Sequence, residues 1–154
     1  MYLILLALHS LLRWFVLLSL LFAIYRAFRG WIFNKTYTGF DDSSRVAATI
    51  AAHIQLVIGL WLYFISPIVN YFLHNFKDAV HERQIRFFGM EHITMMLAAI
   101  ILITIGSAKA KRKVADKEKF KTMAIWFTIA LLLILSSIPW SFSPLISRPL
   151  FRAF

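Results

Sequence analysis

Residues 2–25 read YLILLALHSLLRWFVLLSLLFAIY, an apolar run interrupted by His9, Ser10 and Arg13. A helix that crosses a membrane needs about 20 mostly apolar residues, so this stretch is long enough. Three further runs repeat the pattern: Val46 to Ser66, Phe87 to Gly106, and Met123 to Ile138. Pro139 stops the last, and Trp140 beyond it is the residue type that anchors at a membrane interface. Four spans use most of the 154 residues. The expectation is an all-α chain: one integral membrane domain over residues 1–154, a four-transmembrane-helix up-and-down bundle with no soluble domain.

Composition agrees. The chain is 60% hydrophobic, with a mean hydropathy of +0.73. A soluble domain is about 45–50% apolar. The first run lacks a positively charged leader and a small-residue cleavage pattern, so it reads as a retained span and not a signal peptide. There are no cysteines. This excludes disulfides, thiolate metal sites, covalent c-type haem attachment and thiol–disulfide exchange.

The connections have distinct characters. Asn34 to Ser44 is polar, and Ser43 or Ser44 can cap the second helix with Asp41 and Asp42 near its positive end. Pro67 follows the second span. Ile68 to His81 then mixes apolar residues with Asn70, His74, Lys77 and Asp78, which suits a short interfacial helix between helices 2 and 3. Ser107 to Thr122 holds seven of the 17 Lys and Arg residues.

The net charge of +10 would suggest nucleic acid in a soluble protein. Here it lies in loops, so membrane lipids are the expected partner and nucleic acid is not. Four basic residues fall in Arg26 to Arg45, seven in Ser107 to Thr122, three in Pro67 to Arg86 and two after Trp140. The positive-inside rule therefore puts the first and third connections in the cytoplasm and both termini outside. The expected location is the bacterial inner membrane, as a multi-pass protein.

His9, His53 and His92 all lie within apolar runs. Ionisable groups at membrane depth are costly and usually mark a ligand, cofactor or proton site. His9 is about seven residues in from one end of span one, and His92 is about six residues into span three from the same side. At 1.5 Å per residue both lie roughly 8–10 Å deep, whereas His53 enters from the other side and lies roughly 10 Å further in. Two imidazoles at one height on different helices can ligate a haem iron from both faces. Met95, Met96 and Ala99 share the face of His92. Arg13 follows His9 by one turn on the same face and could fork onto a haem propionate, with Glu91 as a competing partner. Hydrogen bonds between helices explain such residues equally well, and His74 and His81 read as solvated.

The strings His9-Ser10-Leu11-Leu12-Arg13-Trp14, His53-Ile54-Gln55-Leu56-Val57-Ile58-Gly59 and Glu91-His92-Ile93-Thr94-Met95-Met96 carry a resemblance. So do the basic segment Ile105 to Lys113, the stretch Asp116 to Met123 and the ending Trp140 to Leu145. Over almost its whole length the chain resembles small four-helix membrane proteins of Bacteroidetes described as cytochrome b-like. The resemblance implies haem and electron transport, and no particular catalytic reaction. With no histidine in span four, a two-haem arrangement with four histidine ligands is not available.

These readings give three expectations. The first is an electron carrier with one haem b, its iron held by His9 and His92 and a propionate by Arg13, with His53 serving a quinone or a proton path. The second is a non-catalytic scaffold subunit among other membrane subunits. The third is a metal or quinone site without haem. All three describe a carrier or accessory subunit sooner than a stand-alone enzyme.

Overall fold

A computed structural model describes residues 1–140. Among these, four helices are long and apolar enough to cross a membrane. They are α1 (Tyr2–Ile32), α2 (Gly39–Ile65), a segment ending in α6 (His92–Arg112), and α7 (Asp116–Ser137). Between α2 and α6 lie α3 (Pro67–His74), α4 (Phe76–Ala79), α5 (Arg83–Arg86) and a π-helical turn, Phe87–Glu91. The chain is a multi-pass membrane protein by this architecture.

The helices extend further than hydropathy suggests. The second begins at Gly39 and not after Arg45, because Thr38 caps it and not Ser43 or Ser44. The Asp41 carboxylate accepts from the Thr38 backbone N–H at 2.9 Å and its hydroxyl at 2.7 Å, a reciprocal capping arrangement. Likewise α6 and α7 take in most of Ser107 to Thr122, leaving only residues 113–115 as a turn. The surface segment expected over Ile68 to His81 is helical but broken: Pro67 starts α3, and Ser66 accepts from the Val69 N–H.

Packing follows small residues. Ala23 and Ala27 on α1, Ala48 and Ala52 on α2, and Gly106 and Ala110 on α6 are buried pairs spaced by four. In lipid, where apolar tails compete with apolar side chains, close backbone approach is what holds helices together. At Gly106 any side chain would run into Trp126. Larger residues, including Leu20, Ile103, Met123 and Phe127, fill the remaining core. Phe15, Leu18, Val57, Trp61, Ile101 and Leu132 point outward, a coat that water would not tolerate but lipid requires.

The helices form a ring. α1 packs on α2 and α7, and α6 packs on α7 and, most loosely, on α2. This puts α1 and α6 on a diagonal. One end of the bundle carries the start of α1, the end of α7 and α3–α5; the other carries the turns at residues 33–38 and 113–115.

That second end is tied by polar contacts. Arg26 pairs with Asp41 at 2.7 Å. Arg45, almost fully buried, donates to Asp42 at 2.8 Å and to the Ser107 hydroxyl at 2.6 Å, linking α2 to α6. The Tyr37 hydroxyl faces Asp42 at 3.3 Å, and burial pushes this phenol up to about 12.

Candidate functional site

His9 and His92 come together at the other end. Their ring centroids are 6.4 Å apart with the planes 74° from parallel, an edge-to-face arrangement across the diagonal. Both line a cavity of about 360 Å³ whose wall is drawn from α1, α2, α6 and α7. Such a volume is at the small end for a ligand or cofactor pocket, roughly 300–1,000 Å³. Arg13, Gln55, Tyr63 and Met96 share its wall, and the rest is mostly aliphatic.

The His92 ring is held on two sides. Its Nδ1 is 2.9 Å from the Ser137 carbonyl near the end of α7. A carbonyl only accepts, so Nδ1 carries the proton and Nε2 keeps its lone pair. This is the outer-shell contact that metal-binding histidines ordinarily make. Phe87 and Phe88 lie against the ring with centroids at 5.7 and 6.3 Å. Both belong to the π turn that immediately precedes His92. The His92 N–H bonds back to the Phe87 carbonyl, five residues earlier. Turns of this kind are rare and often occur at functional sites. The Tyr63 hydroxyl donates to Gly89 in the same turn at 2.9 Å, bracing it against α2.

His9 is held differently. Its ring packs on Gly59 of α2, where a Cβ would lie 3.1 Å from His9 Cε1. Its backbone carbonyl accepts from Gln55 Nε2 at 2.9 Å. Its own Nδ1 is buried and has no hydrogen-bond partner among the described residues, and the same is true of Gln55 Oε1. Two buried polar atoms without partners, on the wall of one cavity, are costly unless a ligand meets them.

Arg13 lies on this cavity with its guanidinium 5.3 Å from the Trp14 ring centroid. Trp14 in turn meets Trp140 edge to face at 6.1 Å. Glu91, named from the sequence as a partner for Arg13, instead takes Arg86 at 2.6 Å. The reason is local: the π turn directs Glu91 back toward α5, the helix that carries Arg86.

His53 is not on the cavity wall. It lies six residues before Gly59 on α2, about 9 Å along the axis. Its Nδ1 contacts the Thr49 carbonyl at 2.7 Å and its Nε2 the Thr104 hydroxyl of α6 at 3.3 Å. Met96 lines the cavity, whereas Ala99 is core. His74 and His81 are exposed. The two tail arginines and the resemblance beyond Trp140 lie outside the described residues.

Sequence reasoning passed over three participants. Gln55 and Gly59 had a signal, a polar residue and a glycine within an apolar run. The Ser137 carbonyl had none, since any residue offers one.

Compared with protein-family models, curated proteins and solved structures, the chain matches none.

Proposed function

We propose that the protein is a membrane electron carrier of the b-type cytochrome kind, holding one haem b between His9 and His92. The observation that carries this is the 6.4 Å separation of the two rings. Two imidazoles on opposite sides of one metal, each with a nitrogen–metal bond of about 2 Å, have centroids about 6 Å apart. The number of ligands also favours haem over a bare ion. No group of three or more His, Cys, Asp or Glu gathers among the described residues. A zinc site takes three or four protein ligands, whereas haem iron asks the protein only for its axial ones.

Haem, when bound, supplies reversible one-electron chemistry at its iron. The chain's own residues do the rest. The Ser137 carbonyl fixes the His92 tautomer and raises the basicity of Nε2. Gly59 leaves room for the His9 ring. Arg13 supplies the cation for a carboxylate, and the aliphatic wall excludes water. His53 with Thr104 is a separate polar pair between α2 and α6, placed to serve a proton path or a quinone from the opposite half.

The unpartnered His9 Nδ1 and Gln55 Oε1 also suit the carbonyl or hydroxyl of a quinone in a cavity without haem, the second reading. The positive-inside count supports an orientation with both termini outside, and the bacterial inner membrane is the location that goes with this reading. The test is titration of the purified protein with haem. One equivalent bound with a reducible low-spin spectrum supports the first reading. No haem uptake, with displacement of a quinone probe by His9→Ala, supports the second. A colourless protein that copurifies with other membrane subunits and binds neither marks a scaffold.

A further inference from the structure

A second cleft, of about 190 Å³, lies at the far end of the bundle where α1 closes. Arg26, Arg29, Lys35, Thr36 and Asp41 surround it, with Gly30 and the Phe120 ring beneath. Its shape comes from how α1 stops. Asn34 adopts a left-handed conformation, φ 47°, and the Lys35 N–H bonds back to the Gly30 carbonyl at 3.1 Å. That is the Schellman closure, and it returns Lys35 to the rim beside Arg29. Gly30 has no side chain, and Phe120 fills the space where one would stand.

Three cations and one carboxylate meet here, but the carboxylate is used up. Asp41 is 1% exposed and accepts from Arg26 and from both Thr38 donors. Arg29 and Lys35 are exposed and have no carboxylate partner among the described residues. The cleft therefore offers positive charge to an anion from outside. Beside it the surface turns apolar. Phe22, one helical turn before Arg26, and Phe40 are exposed and meet edge to face at 6.0 Å. The Arg26 guanidinium lies 5.1 Å from the Phe40 ring centroid.

We propose that this cleft binds the phosphate headgroup of an anionic membrane lipid. Arg29 and Lys35 contact the phosphate oxygens, and an acyl chain runs along Phe22 and Phe40. A phosphate free in water offers the same anion but has no use for the neighbouring rings, which is why the lipid is the occupant chosen. A basic residue in direct contact with an anionic headgroup strengthens binding about fivefold.

The test uses the full chain in detergent micelles doped with phosphatidylglycerol or with phosphatidylcholine, with retained lipid counted by native mass spectrometry and thermal stability measured in parallel. The unaltered protein should retain phosphatidylglycerol preferentially and melt higher with it. The double variant Arg29→Gln/Lys35→Gln should bind it about tenfold or more weakly. The double variant Lys111→Gln/Lys113→Gln removes equal charge from the same end outside the cleft and should behave as the unaltered protein. Lys35→Gln alone, at an exposed position, repeats the test with a smaller loss should the first double variant fold poorly. Equal losses in the two double variants would overturn the cleft, leaving only general surface charge. Equal stabilisation by inorganic phosphate, or no preference for phosphatidylglycerol, would overturn the lipid assignment.

Discussion

The imidazoles of His9 and His92 meet at 6.4 Å although α1 and α6 stand on a diagonal of the bundle. Neighbouring helices could have brought them together by chance packing. Across a diagonal, both side chains must point at the bundle axis, and the space between them must be theirs. The cavity around them, and a His9 Nδ1 with no hydrogen-bond partner among the described residues, go with that placement.

Gly59 is the most sensitive neighbour of His9. A methyl group there would sit 3.1 Å from the ring, so Gly59→Ala forces a shift of a few tenths of an ångström. Haem affinity should fall by a factor of a few. Gly59→Leu displaces the ring and should abolish the low-spin spectrum, while circular dichroism still reports a helical protein. An unchanged spectrum in Gly59→Leu would show that His9 is not a ligand.

Arg13 should matter for cofactor retention more than for the helix that carries it. A guanidinium facing lipid costs roughly 2.5 kcal/mol or more, so replacing such a residue by leucine would be neutral or stabilising. Arg13→Leu is expected instead to lower both haem content and melting temperature, with Arg13→Lys intermediate. Unchanged melting and unchanged haem content in Arg13→Leu would remove Arg13 from the site.

The four spans, their order and the matched heights of His9 and His92 were legible in the sequence, because hydropathy and a fixed rise per residue carry that information. The exact helix ends were not. Thr38 and Asp41 lie in a polar stretch that reads as loop, and only their reciprocal hydrogen bonds mark α2 as starting at Gly39. The diagonal was also hidden, since residue counts give depth and not which helices touch. Its place beside His92 makes Glu91 a competing partner for Arg13 in the sequence. The π turn changes the register just before His92, so Glu91 meets Arg86 instead.

Asp41 should be the polar residue on which the far end most depends. It closes the α2 cap and holds Arg26 while itself 1% exposed. Asp41→Asn removes the charge from both contacts and should cost about 2 kcal/mol, measured as a lowered unfolding midpoint in detergent. Asp78→Asn, at an exposed position, should stay within about 0.5 kcal/mol. Equal effects would mean that the Arg26–Asp41 pair contributes nothing special.

Orientation is open to direct labelling, because the chain has no cysteine of its own. Ala115→Cys lies in the turn between α6 and α7, and Asn75→Cys lies between α3 and α4; both positions are exposed. In intact cells an impermeant thiol reagent should label position 75 and not 115, since eleven of the sixteen loop and tail Lys and Arg residues lie in the two connections assigned to the cytoplasm. Labelling at 115 with protection at 75 would invert the topology.

The proposed site gives the haem iron to His9 and His92 and not to His53. Reduced-minus-oxidised visible spectra of the haem-supplied protein and its three single histidine-to-alanine variants decide between these residues. The unaltered protein should show a low-spin b-type spectrum. His9→Ala and His92→Ala should each lose it, and His53→Ala should keep it. A protein that takes up no haem, or one bleached by His53→Ala while either of the other two variants retains the spectrum, would overturn the His9–His92 site.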